Sequence, residues 1–228
     1  MSVHLNDFKV EILASNIRFI KKSEFNYYAL PDHSDYSIRI ENNKNVRCDV
    51  EITIDNESVG QWRLRPYSSA IIRRPAEIDR KFVFVSDTSH DAFLLGAIHG
   101  DSRNGLITVT FKPERVYRPC CFCEHHVTDW MYEPIGAFSS TLRNASNGIR
   151  GNLFDECQMK SMDSGVTILG GSSGQSFSTA SPIYDYDSLN ETKIHVRLVV
   201  NKNSSNSEYM SLHDYSTHST RIPPLPDW

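Results

Sequence analysis

The sequence predicts an all-β protein, an antiparallel β-sandwich of jelly-roll-like form that carries an irregular cysteine-rich insertion and an extended C-terminal tail. Two observations support this fold class. Apolar and polar residues alternate in several short segments, which is the pattern of strands with one buried face. Asn, Asp, Gly and Ser residues that favour turns separate these segments at short intervals, as they do in sandwiches and barrels.

The clearest alternation covers residues 46–54, where five apolar side chains share one face and four polar side chains share the other. The same pattern predicts further strands at residues 36–40, 59–64, 70–72, 82–85, 106–111, 165–169 and 192–200. Residues 42–45 are rich in Asn, so we expect a hairpin between the strands on either side of them. Residues 55–58 are expected to form the next turn.

Two residues of the strand at 59–64 carry local expectations. Gly60 permits a bulge or the close approach of another backbone. Trp62 is large enough to fill the interior of a sandwich. Residues 91–98 are mostly apolar, but Gly96 and Gly100 limit the length of any helix, so we expect a short loop segment there at most.

These patterns divide the chain into five regions. They are an N-terminal extension that is partly β (1–35), the first part of the sandwich (36–116), an irregular Cys/His-rich insertion or linker (117–162), the closing strands (163–200) and a polar tail that ends in prolines (201–228). The pattern leaves open whether the chain forms one domain or two.

Composition narrows the class of partner. Hydrophobic residues make up 39% and charged residues 23% of the chain, which is ordinary for a globular protein. The net charge of −4 gives no positive field, so nucleic acid is not an expected partner. No apolar run approaches the ~20 residues of a membrane helix, and no signal peptide is visible, so neither a membrane span nor secretion is expected.

The sharpest local feature is a cluster of metal-ligating residue types. Cys120 and Cys123 have the two-residue gap that lets two thiolates bind one tetrahedral ion. His125 or His126, together with Cys157, would complete four ligands, so zinc is a candidate cofactor. Unliganded reduced thiols and redox use remain alternatives. A cysteine hydrolase that uses these cysteines and histidines is a third.

Three aromatic residues are candidate binding residues. Tyr184 and Tyr186 alternate with acidic residues, as on carbohydrate-binding surfaces, although an edge strand has the same pattern. Trp228 ends a proline-rich stretch that favours an extended polyproline conformation. Such a tail is suited to docking into a groove on a neighbour, and a frayed end is the alternative.

A set of segments resembles a poorly characterised β-module of proteins from giant or large DNA viruses and aquatic viruses. Its first part comprises CDVEITID (48–55), VGQWRL (59–64), SSAIIRRP (68–75), RKFVFV (80–85) and NGLITVTFKPE (104–114). Its closing part comprises GVTILG (165–170), SGQSF (173–177) and the strand at 194–200. The resemblance implies a structural or virion-associated role, other structural proteins as partners in a homo- or hetero-oligomer, and a location in the virion or the host cytoplasm. It offers no catalytic motif.

The sequence therefore favours a non-enzymatic structural or interaction protein that acts through protein-protein contacts. A lectin-like sandwich that binds glycans is the first alternative, and the cysteine hydrolase is the second.

Overall fold

The computed structural model describes residues 2–22, 24–116, 162–201 and 221–225. Strands are by far the main regular secondary structure of these ranges, which confirms the all-β class. The strands are β1 Val3–Leu5, β2 Phe8–Ala14, β3 Arg18–Lys22, β4 Phe25–Leu30, β5 Ser34–Asn42, β6 Cys48–Ile54, β7 Glu57–Leu64, β8 Ser68–Ile72, β9 Phe82–Ser86, β10 Leu106–Pro113, β11 Met162–Leu169 and β12 Thr192–Asn201. A short helix, α1, spans His90–Leu94.

The strands form one hydrogen-bonded sheet in the order β1-β2-β5-β9-β11-β12-β10-β6-β7. Strand β8 also pairs with β5, and the β3–β4 hairpin joins the sheet through β12. The β4–β12 pair is parallel, and the other pairs are antiparallel. The region expected to be a partly β extension thus supplies four of the described strands.

Strand β11 divides the sheet into two halves. Its first residues, Met162 to Ser164, pair with β12, and the residues that follow, Gly165 to Leu169, pair with β9. We call β1, β2, β5, β8 and β9 the first half, and β3, β4, β6, β7, β10 and β12 the second half. Because one strand pairs into both, the chain passes from one half to the other without breaking the hydrogen-bonded ladder.

The two halves share one apolar core. Ile38 on β5, Ile52 on β6 and Val196 on β12 are all fully buried in the same cluster. The ring of Phe8 on β2 stacks on the ring of Phe111 on β10, with centroids 4.4 Å apart. The sheet therefore folds so that side chains of its two halves meet, whereas the more specific jelly-roll-like sandwich stays a prediction.

The predicted hairpin around residues 42–45 is wrong. Strand β5 pairs with β2, β8 and β9, and β6 pairs with β7 and β10. The connection instead carries the chain from the first half to the second. The Asn42 side chain is fully buried and donates hydrogen bonds to the carbonyls of Val46 and Arg65, which fixes this crossing. A turn signal predicts a reversal of direction, but not which strand becomes the neighbour.

The next turn is a hairpin, as the sequence predicts. Asp55 and Asn56, with φ of 52° and 69°, form a left-handed turn between β6 and β7. The register shifts between Ile52 and Thr53, opposite Gly60, so the expected bulge is present. Trp62 is 9% exposed and packs in the core, as expected.

The segment at residues 91–98 differs from the expectation of a loop, because it overlaps α1. The Ser89 hydroxyl accepts a hydrogen bond from the backbone N–H of Ala92 and caps the helix. Of the helical residues only Ala92 is buried. In the described part of the chain, no helix is long and apolar enough to cross a membrane.

We predict that Gly60→Ala lowers the free energy of unfolding by about 2–3 kcal/mol, because overpacking and a strained backbone both oppose the added methyl group. Gly60 has a φ of +140°, and a Cβ there would lie 2.5 Å from the Cβ of Ala76. Gly171→Ala is the matched control, since a Cβ at Gly171 meets nothing within 4 Å. Equal stability of the two variants in urea denaturation would contradict the close approach at Gly60.

Candidate binding cleft

The predicted zinc ligands Cys120, Cys123, His125 and Cys157 lie outside the described residues, as does Trp228. The zinc site and the hydrolase therefore stay predictions. Within the described ranges, no group of three or more His, Cys, Asp or Glu side chains is arranged to hold a metal ion.

The structure places Tyr184 and Tyr186 in different environments. Tyr184 is 92% exposed. The hydroxyl of Tyr186 donates a 2.6 Å hydrogen bond to Asp49, whose carboxylate also pairs with Arg63. This contact fixes the hydroxyl of Tyr186, which is partly buried, whereas Tyr184 is free to present its ring to solvent.

A cleft of about 780 Å³ opens on one side of the folded sheet. Its walls are the β6–β7 turn, strand β11, the end of α1 with the loop that follows, and the loops before β9 and β10. A volume of this size is typical of ligand sites in proteins. Tyr184 and Tyr186, the sequence-predicted site residues whose positions the structure describes, do not line it.

Large apolar side chains line this cleft and are exposed to solvent. Leu94, Leu95 and Ile98 are 68%, 66% and 64% exposed, and Ile78 on the opposite loop is 46% exposed. Leu94 and the two large apolar residues after it are exposed because α1 is too short to bury more than Ala92 against the sheet. The signal that identifies them in the sequence is the apolar run at residues 92–95 between turn-forming residues, which is unusual for a surface loop.

Asp55 joins the β6–β7 turn to strand β11 and to the start of β10 at the base of the cleft. Its carboxylate accepts hydrogen bonds from the backbone N–H of Gly105 at 2.7 Å and of Thr167 on β11 at 2.8 Å. Burial raises the pKa of Asp55 to about 7, although both hydrogen bonds act to lower it. The side chain therefore titrates near neutral pH.

The strand edge inside the cleft is already occupied. The outward N–H of Thr167 donates to Asp55, and the carbonyl of Leu169 accepts a 2.5 Å hydrogen bond from Arg80. Arg80 also donates to the carbonyl of Gly170 at 2.8 Å. Covering an edge in this way prevents the addition of another strand. The cleft is therefore suited to side chains rather than to an added strand.

Carboxylates outnumber cations around the cleft. Asp101 forms a 2.6 Å ion pair with Arg103, whose hydrogen bonds lower the pKa of Asp101 to about 2. Asp91 contacts His33 at 3.2 Å. Glu57 on the rim has no ion-pair partner among the residues with described positions. An occupant with a positive charge close to its apolar part would complement this rim.

Asp87 holds the loop that carries Ile98. Its buried carboxylate accepts hydrogen bonds from the N–H of Gly100 at 3.0 Å and from the Asn104 amide at 3.1 Å, and it contacts the His99 ring at 2.9 Å. Burial acts to raise the pKa of Asp87, but the hydrogen bonds from Ser164 and from these groups have the larger effect. The pKa is therefore below its usual value, and the carboxylate stays ionised. Because Ser164 donates to Asp87 and not to a histidine, the cluster lacks an activated nucleophile and acts as a support for the loop.

We predict that Asp55→Asn changes the pH dependence of stability. A carboxyl whose pKa is raised on folding contributes stability that is present at about pH 4 and is lost as the pH rises through about 7. The wild type should therefore exceed Asp55→Asn in free energy of unfolding most at low pH, and by less at pH 7.5.

Urea denaturation at pH 4.5, 6 and 7.5 measures this difference. Asp35→Asn, at a carboxylate whose side chain is 61% exposed, is the control. A difference between wild type and Asp55→Asn that grows with pH would contradict the assignment.

Comparison of the chain with protein-family models, with curated proteins and with solved structures found no match. The resemblance to a β-module of large DNA viruses therefore remains a prediction.

Proposed function

We propose that this chain is an interaction protein whose cleft binds an apolar segment of a partner protein, with a Lys or Arg next to the apolar side chains. The single observation that carries the proposal is the exposure of three apolar side chains that line the cleft, Leu94, Leu95 and Ile98. These side chains fall within five consecutive positions, and each is between 64% and 68% exposed. Contiguous apolar surface of this kind is typical of protein interaction sites.

The energetics favour an occupant. Fully covering an exposed Leu or Ile side chain contributes about 1.5–3 kcal/mol, so three of them contribute up to about 9 kcal/mol toward the cost of association. The concave shape supports the same conclusion, because a cleft buries both sides of an inserted side chain.

The acidic rim of the cleft favours a partner segment that carries a Lys or Arg next to its apolar residues. Arg103 is bound by Asp101, and Arg80 is bound to backbone carbonyls, so the chain itself already uses the cations around the cleft. Among the described residues, Glu57 forms no ion pair of its own, so it can bind a positive charge of the partner. A rim charge of this type acts mainly on association rate and partner choice.

The wider role that we propose is that of a structural component or accessory factor of a large-virus particle, in a homo- or hetero-oligomer located in the virion or the host cytoplasm. This part rests on the sequence resemblance alone. The cleft gives such a component a way to bind other particle proteins.

Glycan binding is the second candidate function, and the exposed ring of Tyr184 favours it. Aromatic faces stack on sugars, and Tyr184 is 92% exposed beside the acidic Asp185. It is a weaker candidate because Tyr186 is held by Asp49 and adds no second platform.

We predict that peptides selected from a random display library on the wild-type chain carry apolar residues beside Lys or Arg. Leu94→Ser with Leu95→Ser should weaken their binding at least tenfold, about 1.4 kcal/mol. Leu189→Ser is the matched control, because Leu189 is 94% exposed and lies outside the cleft. Fluorescence anisotropy of labelled peptides measures the binding.

Glu57→Gln should weaken binding of the same peptides at low salt by a smaller factor, since it removes only a rim charge. Equal binding to the Leu94/Leu95 variant and to Leu189→Ser would contradict the proposal. So would a library that yields no binder while a fatty acid binds in the cleft. A glycan array that finds sugar binding lost in Tyr184→Ala would support the second candidate function.

A further inference from the structure

A second surface lies on the outer face of β4 and β12, away from the shared core. Tyr27, Ala29 and Val199 form a buried apolar cluster there. Arg197 lies on the same face, because it is two residues from Val199 and pairs directly with Tyr27 across the parallel ladder. Residues 221–225, which we call the proline segment, cover this face.

Two hydrogen bonds hold the proline segment. The Arg197 Nε donates to the carbonyl of Pro223 at 2.8 Å, and the Tyr27 hydroxyl donates to the carbonyl of Pro224 at 3.1 Å. Pro223 is buried. Arg197 and Tyr27 are each 1% exposed, so both donors are removed from water. Neighbouring donors on neighbouring strands thus bind two successive carbonyls.

This arrangement matches the chemistry of a Pro-Pro step. Proline has no backbone N–H, so a Pro-Pro step cannot exchange hydrogen bonds in both directions with a strand, and its two carbonyls serve as acceptors for side-chain donors. Its fixed φ also lowers the entropy that binding costs. Recognition of polyproline segments by aromatic surfaces with side-chain donors uses these same two properties.

The guanidinium of Arg197 has one donor that is satisfied by the bound proline segment. The other guanidinium nitrogens donate to the carbonyls of Asn104 at 2.5 Å and Ser102 at 2.9 Å, and no carboxylate of the described part forms an ion pair with it. The carbonyl of Pro223 satisfies the Nε–H. A hydrogen bond from a charged donor is stronger than one from a neutral donor, so Arg197 favours a bound carbonyl at this position.

We propose that the outer face of β4 and β12 is a binding site for proline-rich segments, filled in this structure by the chain's own Pro223 and Pro224. The site is separate from the apolar side chains of the cleft and goes beyond the function proposed for the cleft. The proline segment is its ligand in cis, and a segment with the same Ile-Pro-Pro-Leu sequence is its ligand in trans.

The test uses the full-length chain with Pro223→Gly and Pro224→Gly, which loosens the ligand in cis. A fluorescein-labelled peptide with the sequence of residues 221–228 should bind this variant at least tenfold more tightly than the wild type, whose site is occupied. A peptide with Ala in place of both prolines should bind at least tenfold more weakly than the native peptide.

Tyr27→Phe in the double-glycine variant should weaken peptide binding about threefold to tenfold, the effect of one lost hydrogen bond. Tyr67→Phe is the matched control, because Tyr67 is 72% exposed. Circular dichroism checks that each variant is folded. Pro224→Gly alone, which keeps the buried Pro223, is the second host should the double variant unfold.

Equal binding of the native peptide to the wild type and to the loosened variants would overturn the proposal. Equal binding of the native and Ala-substituted peptides, or no loss in Tyr27→Phe, would also overturn it. The outcome does not depend on Leu94 or Leu95, so failure of this proposal is distinguishable from failure of the proposal that the cleft binds peptides.

Discussion

The ring of Phe8 on β2 stacks on the ring of Phe111 on β10, although four strands separate β2 from β10 in the order of the sheet. The contact is possible only because the sheet folds over and brings its two halves together. Strand β11 allows this by pairing with β12 at its start and with β9 afterwards. The buried alternating side chains of both halves then pack into one core.

The cleft is a consequence of the same fold. Where β11 crosses between the halves, the β6–β7 turn of the second half lies against it, and Asp55 bridges the gap with hydrogen bonds to Gly105 and Thr167. Two covered groups, the N–H of Thr167 and the carbonyl of Leu169, protect the strand edge. What remains open is the apolar surface formed by the end of α1 and the loop that follows.

Local patterns predicted much of the fold, because alternation reports directly which face of a strand is buried. The β6–β7 hairpin and the bulge at Gly60 were both predictable. The pairing partner of β5 was not predictable, because alternation shows which face of a strand is buried but not which strand lies beside it. Regions with weak alternation, such as β3 and β4, lacked the signal that identifies a strand.

The sites were less predictable than the strands, since they depend on which segments meet. Arg197 alternates with apolar residues and resembles a solvent-facing side chain, yet it is 1% exposed and donates to the carbonyls of Pro223 and Asn104. Tyr186 was predicted to be a binding residue, but its hydroxyl is bound to Asp49. Both contacts join residues far apart in sequence, so no local pattern reports them.

The folding of the sheet onto itself is most directly tested by a double-mutant cycle on Phe8→Leu and Phe111→Leu, measured by urea denaturation. These residues touch only if the two halves meet. We expect a coupling free energy of about 0.5–1.5 kcal/mol, the range for stacked aromatic pairs. Effects that add to within about 0.3 kcal/mol, as for distant sites, would contradict the fold described.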